Sequence, residues 1–145
     1  MKKYIILLIL LVFPFINAKC ISNGSLNGVN YYEFKPSNAT SSTKVIFAFH
    51  GIGASTSDMN TFGAYKQINS INPNAVVVFP TKGSGGWNTS TYSNFVKSYL
   101  STNGYTGSVG YYGFSYGALD GPPIIAAAGV FDSAVLVDED FVATY

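Results

Sequence analysis

One stretch of this chain combines residue types and spacing suited to covalent chemistry: Gly113-Phe114-Ser115-Tyr116-Gly117. The G-x-S-x-G pattern sets a serine on a sharp turn between a strand and a helix, hydroxyl outward. The glycines two positions before and after the serine leave room for strand and helix to approach closely. Such a serine attacks acyl carbons when fixed donors hold the oxyanion and a base takes its proton. With 15 glycines in the chain, the five-residue pattern alone does not separate a nucleophile from an ordinary Gly/Ser turn. The other candidate groups are few: His50 is the single histidine, Cys20 the single cysteine, and Asp138-Glu139-Asp140 the single acidic cluster. One histidine, one cysteine near the start and one acidic cluster do not compose a tetrahedral set, so neither a metal nor a cofactor is expected.

Four apolar runs must position these groups. Lys44 to Phe49 and Ala75 to Phe79 are rich in β-branched and aromatic residues without alternation, the mark of strands buried on both faces. Val109 to Tyr112 leads into the serine turn, and Ala134 to Val137 leads into Asp138. Between them, helical spacing is expected from a Ser57-Asp58 cap to about Ile71, and from Tyr92 to Leu100 with a stop at Asn103-Gly104. A helix opening at Tyr116 must break at Gly121-Pro122-Pro123 and resume over Ile124 to Val130. Residues 21–30 read as a Gly/Asn/Ser-rich loop, Tyr31 to Phe34 as a short edge strand and 35–43 as a connector. Strands alternating with helices predict an α/β three-layer sandwich around a mostly parallel sheet. Ligands bind beyond the carboxyl ends of such strands, where His50, the loop carrying Trp87, Ser115 and Asp138 all fall.

The 145 residues suit one domain, and 48% hydrophobic content is enough for a core. Part of that content belongs to the start, where Lys2-Lys3, an apolar run to Phe13 and a small residue at Ala18 give the pattern of a secretory signal peptide. The expected organisation is a leader over 1–18, an N-terminal loop and edge strand over 19–43, and the α/β domain over 44–145, incomplete at its C-terminal side. The apolar run is short for a bilayer, so no stable membrane span is expected after cleavage, and the chain is expected outside the cytoplasm. All eight basic residues are lysines and seven acids balance them, so no basic patch invites nucleic acid. A lone cysteine excludes a disulfide framework. Three N-x-[ST] sequons begin at Asn23, Asn38 and Asn88; they would carry sugar in a eukaryotic secretory route, or else reflect an Asn- and Ser-rich composition.

The strand ending in His50-Gly51 with Gly53 after it, the strand ending in Phe79-Pro80 and the turn at 113–117 occur in an order that resembles the α/β-hydrolase family. Within it the likeness is to secreted esterases of the polyester-depolymerase and feruloyl-esterase kind, over about residues 44–138. The resemblance implies a partial α/β-hydrolase fold with Ser115 as nucleophile toward an ester substrate. It implies an oxyanion hole from the backbone N–H of Tyr116 and one in the Gly51-Ile52 turn, with His50, Gly113 and Gly117 shaping the site. Trp87 would form an apolar wall for the substrate, or else cover the sheet edge. Asp138 holds the position of the acid in some family members, or else is a solvated strand end. The family's order is serine, acid, histidine, and no histidine follows Ser115. The expectation is therefore the N-terminal portion of a serine esterase, inactive alone, whose base sits on a missing C-terminal segment or a second chain.

Two other readings compete. A non-catalytic secreted binding protein with the same fold would stack carbohydrate on aromatic side chains around the Trp87 loop. Nucleotide binding at His50-Gly51-Ile52-Gly53-Ala54-Ser55-Thr56 fails, because the sixth position of the glycine motif is Thr56 and no acid ends the next strand to hold a ribose.

Overall fold

In the computed structural model the described residues are 19–53, 55, 64–137 and 142–144. The expected leader, the Ser57-Asp58 cap and the acidic cluster from Asp138 lie outside the described residues. Seven strands form one sheet: β1 (Lys19–Leu26), β2 (Val29–Pro36), β3 (Val45–Phe49), β4 (Val76–Pro80), β5 (Val109–Phe114), β6 (Ser133–Val137) and β7 (Val142–Thr144). Their order is β1-β2-β4-β3-β5-β6-β7. The middle four strands run parallel, and antiparallel pairs flank them on both sides. Among the described residues four helices accompany the sheet: α1 (Ala64–Ile71), α2 (Thr89–Asn103), α3 (Tyr116–Leu119) and α4 (Gly121–Ala128).

The apolar runs without alternation have a direct cause in the layering. Val45, Phe47 and Phe49 of β3, with Val76 and Val78 of β4, pack against Phe95, Val96 and Tyr99 of α2 and Ile124 of α4. The intervening residues Ile46, Ala48, Val77 and Phe79 face the opposite layer with Phe34 of β2 and Ile68 of α1. Every residue of β3 and β4 is buried, so neither strand has a polar side to alternate with. The three-layer α/β architecture expected from the strand and helix pattern is the one the chain forms.

The helix limits follow local chemistry. Asn88 caps α2 by accepting the Thr91 N–H at 3.0 Å, and Gly104, with φ 67°, ends it in the left-handed conformation. The helix therefore begins three residues before Tyr92, where apolar spacing alone put its start. Pro122 and Pro123 stand in the first turn of α4, where their missing N–H groups have no intrahelical role, and α3 stops at Leu119.

Residues 21–30, read as a loop, are instead most of a hairpin. Asn27 and Gly28 take φ values of 51° and 78°, positive at both central positions of the two-residue turn that joins β1 to β2. That geometry suits the right-handed twist of paired strands, and Asn-Gly is its favoured sequence. Polar composition hid the strand because β1 is an edge with one exposed face. Its other face is filled in part by the Tyr31 ring, which occupies the space that a Cβ on Gly24 would need.

One buried carboxylate lies on the α2 side of the sheet. Glu33 is 8% exposed and accepts hydrogen bonds from the Tyr99 hydroxyl and, at 3.5 Å, from Ser22 Oγ. Burial first, and then the Glu33 carboxylate, hold the Tyr99 phenol far above its usual range. Tyr99→Phe should lower stability by about 2 kcal/mol, since it strips a donor from a buried carboxyl oxygen. Glu33→Met combined with Tyr99→Phe should recover most of that loss, because two apolar groups leave nothing unsatisfied. Urea midpoints for the native chain and the two variants measure this; a double variant no better than Tyr99→Phe would refute it.

Candidate active site

Ser115 occupies the single residue between β5 and α3, with φ 51° and ψ −116°. Among the described residues only Asn27 shares a positive φ without being glycine. Such a backbone costs on the order of 1–3 kcal/mol and persists only where its surroundings fix it. They do so on three sides. The Ser115 N–H donates to the Val137 carbonyl at 2.7 Å, while its own carbonyl accepts from Ala118 at 2.7 Å and Leu119 at 3.0 Å. A Cβ on Gly113 would lie 2.5 Å from the Gly117 oxygen, and one on Gly117 would lie 2.3 Å from the Phe49 oxygen. Both glycines are thus required by backbone contact. The Tyr111 hydroxyl donates to the Gly117 carbonyl at 2.8 Å. Burial, with a smaller contribution from the Asp120 carboxylate, keeps that phenol protonated well above the usual range.

The turn after β3 closes on the serine. A Cβ on Gly51 would be 3.1 Å from Ser115 Cβ and 3.4 Å from Oγ, so the Gly51 backbone runs beside the hydroxyl. Ile52 follows with its side chain exposed. Tyr116, the first residue of α3, has no intrahelical acceptor for its N–H. Lys82 places Nζ 5.3 Å from the centre of the Tyr116 ring, and Gly86, with φ 80°, lies against the edge of that ring. Neither Lys82 nor Tyr111 was singled out from sequence. Tyr111 carried a readable signal, since two positions before Gly113 on a strand is the same face.

His50 is 2% exposed beneath this turn. Its Nδ1 lies 2.9 Å from the Gly51 carbonyl, which can only accept, so Nδ1 carries the proton. The His50 carbonyl accepts the Trp87 indole N–H at 2.9 Å, and the two rings meet edge to face with centroids 4.9 Å apart. No hydrogen bond joins His50 to Ser115 among the described residues. In this arrangement the imidazole braces its own turn.

No protein-family model matches the sequence, and no curated protein sequence does. Solved structures match the chain through its fold. An acetyl xylan esterase from Aspergillus awamori superposes with a TM-score of 0.63 at 19% identity, over 79% of this chain and 50% of that one. A cold-adapted esterase from an Arctic intertidal metagenomic library gives 0.60 at 14%, over 80% and 58%. A predicted CIB-like hydrolase from Thermoplasma acidophilum gives 0.56 at 16%, over 80% and 61%. The fold is the α/β-hydrolase fold. The chain spans about half to three fifths of the length of these structures.

Within the α/β-hydrolase fold the predicted site residues separate into two groups. Gly51, Ser115, Tyr116, Gly113 and Gly117 meet at the carboxyl ends of β3 and β5, with Ile52 next in the chain to Gly51. Trp87, for which the sequence offered either a substrate wall or a cover for the sheet edge, is 3% exposed, and its ring packs against Phe49 and Tyr92 in the core. The physical reason is the His50 carbonyl, which needs a buried donor that the indole supplies. Asp138, the residue after β6, lies outside the described residues. Among the described residues no group of three His, Cys, Asp or Glu side chains could hold a metal ion. Among them, too, no helix is long and apolar enough to cross a membrane.

Proposed function

We propose that this chain carries the nucleophile and the oxyanion donors of a secreted serine ester hydrolase. The observation behind the proposal is the strained Ser115 backbone, φ 51° and ψ −116°, with the Gly51 turn set against its hydroxyl. Ser115 Oγ attacks the ester carbonyl, and the oxygen that gains charge is received by the N–H of Tyr116 and by an N–H of the Gly51-Ile52 turn. Loss of the alcohol leaves an acyl group on Ser115, which water then removes. The proton from Oγ goes to a histidine supplied by another polypeptide segment, since His50 is the only histidine and donates Nδ1–H to its own turn. The chain alone is then nearly inactive. Esterases among the similar folds make esters the substrate class in this proposal. Trp87 itself is buried, so it is not among the aromatic side chains open to a carbohydrate.

A fluorophosphonate probe tests the assignment on the chain assembled with its complementing segment. Labelling should map to Ser115 and vanish in Ser115→Ala, at least a hundredfold down given the size of nucleophile effects. Labelling that survives Ser115→Ala would end the proposal. Ester turnover by the isolated chain, lost in His50→Ala, would make His50 the base instead.

A further inference from the structure

We propose that Asn23 is a glycosylation site whose sugar covers the exposed edge of the sheet. The inference rests on the leader routing the chain into a secretory lumen, and it is independent of the serine chemistry. Asn23-Gly24-Ser25 is a sequon on β1, the edge strand, and both Asn23 and Ser25 are exposed. Along β1, Ser22 points toward Glu33, and Gly24 and Leu26 face the α2 layer, so Ile21, Asn23 and Ser25 point to the other side. On β2 the residue opposite Asn23 is Tyr32, and the residue opposite Ile21 is Phe34. Ile21 is 65% exposed and Tyr32 41%, two large apolar groups flanking the sequon on one face of what is, among the described residues, the sheet's edge. An open hollow of about 450 Å³ adjoins Tyr32 and the sequon, lined by Asn23, Ser25, Tyr32 and Thr81 among others.

This setting differs from the other two sequons. Asn88 uses its side-chain oxygen to cap α2, and Asn38 lies in the turn after β2. Only Asn23 has an exposed aromatic ring as its cross-strand partner, at a separation of roughly 5 Å between paired residues. A sugar on Asn23 lays its apolar face on the Tyr32 ring, occupies the hollow and screens the free edge of β1 from other strands. The reaction needs a lipid-linked diphosphate oligosaccharide as donor. The Asn23 Nδ2–C1 bond forms, the C1–O bond breaks with its electrons leaving on the lipid diphosphate, and the amide loses one proton.

The test is expression of the full chain in a eukaryotic secretory host, followed by peptide mapping of the secreted protein. N-glycosidase in heavy-oxygen water converts each sugar-bearing asparagine to labelled aspartate, so the three sequons are read separately. Asn23 should be labelled, and Ser25→Ala should abolish that label without altering those at Asn38 and Asn88. Enzymatic removal of the sugar should raise self-association and binding of an apolar dye severalfold in the native chain, and less in Tyr32→Ser. Secreted chain with unmodified Asn23, or chain retained in the cytosol, overturns the site. An equal response of Tyr32→Ser and native chain to sugar removal overturns the covering role.

Discussion

Gly117→Ala is expected to abolish the cooperative melt of this chain. The added Cβ would stand 2.3 Å from the Phe49 oxygen and 2.7 Å from its carbonyl carbon. Both are backbone atoms, so no side-chain rotation relieves the contact. Phe49 is held in register opposite Gly113 in the parallel β3–β5 pair, and Gly113 itself packs on Gly117. Moving α3 outward would therefore break the Tyr111–Gly117 hydrogen bond and the Ser115 carbonyl contacts together. A loss of at least about 3 kcal/mol follows, a large share of the stability of a small domain. Gly85→Ala is the control: a Cβ there meets nothing within 4 Å, and the change should stay within about 0.5 kcal/mol. Gly51→Ala should cost the melt less than Gly117→Ala, because the atoms nearest its Cβ belong to the Ser115 side chain, at 3.1 Å, and the Phe114 ring and not to backbone. Thermal unfolding followed by circular dichroism separates the three. A cooperative Gly117→Ala melt within a few degrees of the native one would show that strand and helix are not in the contact described.

What was legible in the sequence was what repeats along it. The runs 44–49 and 75–79 announced buried strands because both faces of β3 and β4 are covered, and apolar side chains then run without a break. The serine turn was legible because backbone contact forces glycine at 113 and 117. β1 was not legible from composition, since an edge strand with one exposed face carries Ser, Asn and Gly. Its signal lay in the Asn27-Gly28 turn, where both φ values are positive. Which of its two roles Trp87 takes was not legible, for a different reason. A loop position suggests exposure, yet this loop turns its indole inward to meet the His50 carbonyl, a backbone group with no trace in the sequence. Partners of that kind are set by tertiary contact alone.

That contact gives Trp87→Ala the second large expected effect. The ring sits among Phe49, Tyr92 and His50, with centroids 4.8, 4.8 and 4.9 Å away. Truncation opens a cavity in the core and costs about 3–5 kcal/mol. It also removes the indole donor from the His50 carbonyl, at about 1–3 kcal/mol. Trp87→Phe divides the two contributions, since it keeps most of the ring contact and removes only the N–H; its cost should be about 1–2 kcal/mol. Urea midpoints report the energies, and the single imidazole resonance of the chain reports the geometry. In the native chain that resonance should carry the ring-current shift of the adjacent indole and show Nδ1 protonated, as the 2.9 Å contact with the Gly51 carbonyl requires. Trp87→Phe should keep the tautomer with a reduced shift. In Trp87→Ala the resonance should move toward that of unfolded histidine even where β3 and β5 remain paired, because the turn beside Ser115 loses its only indole brace. An unchanged resonance, or a cost below about 1 kcal/mol, would mean that the Gly51 turn is held by contacts other than Trp87, and the positioning of the oxyanion donors would have to be sought in the chain that follows Gly53.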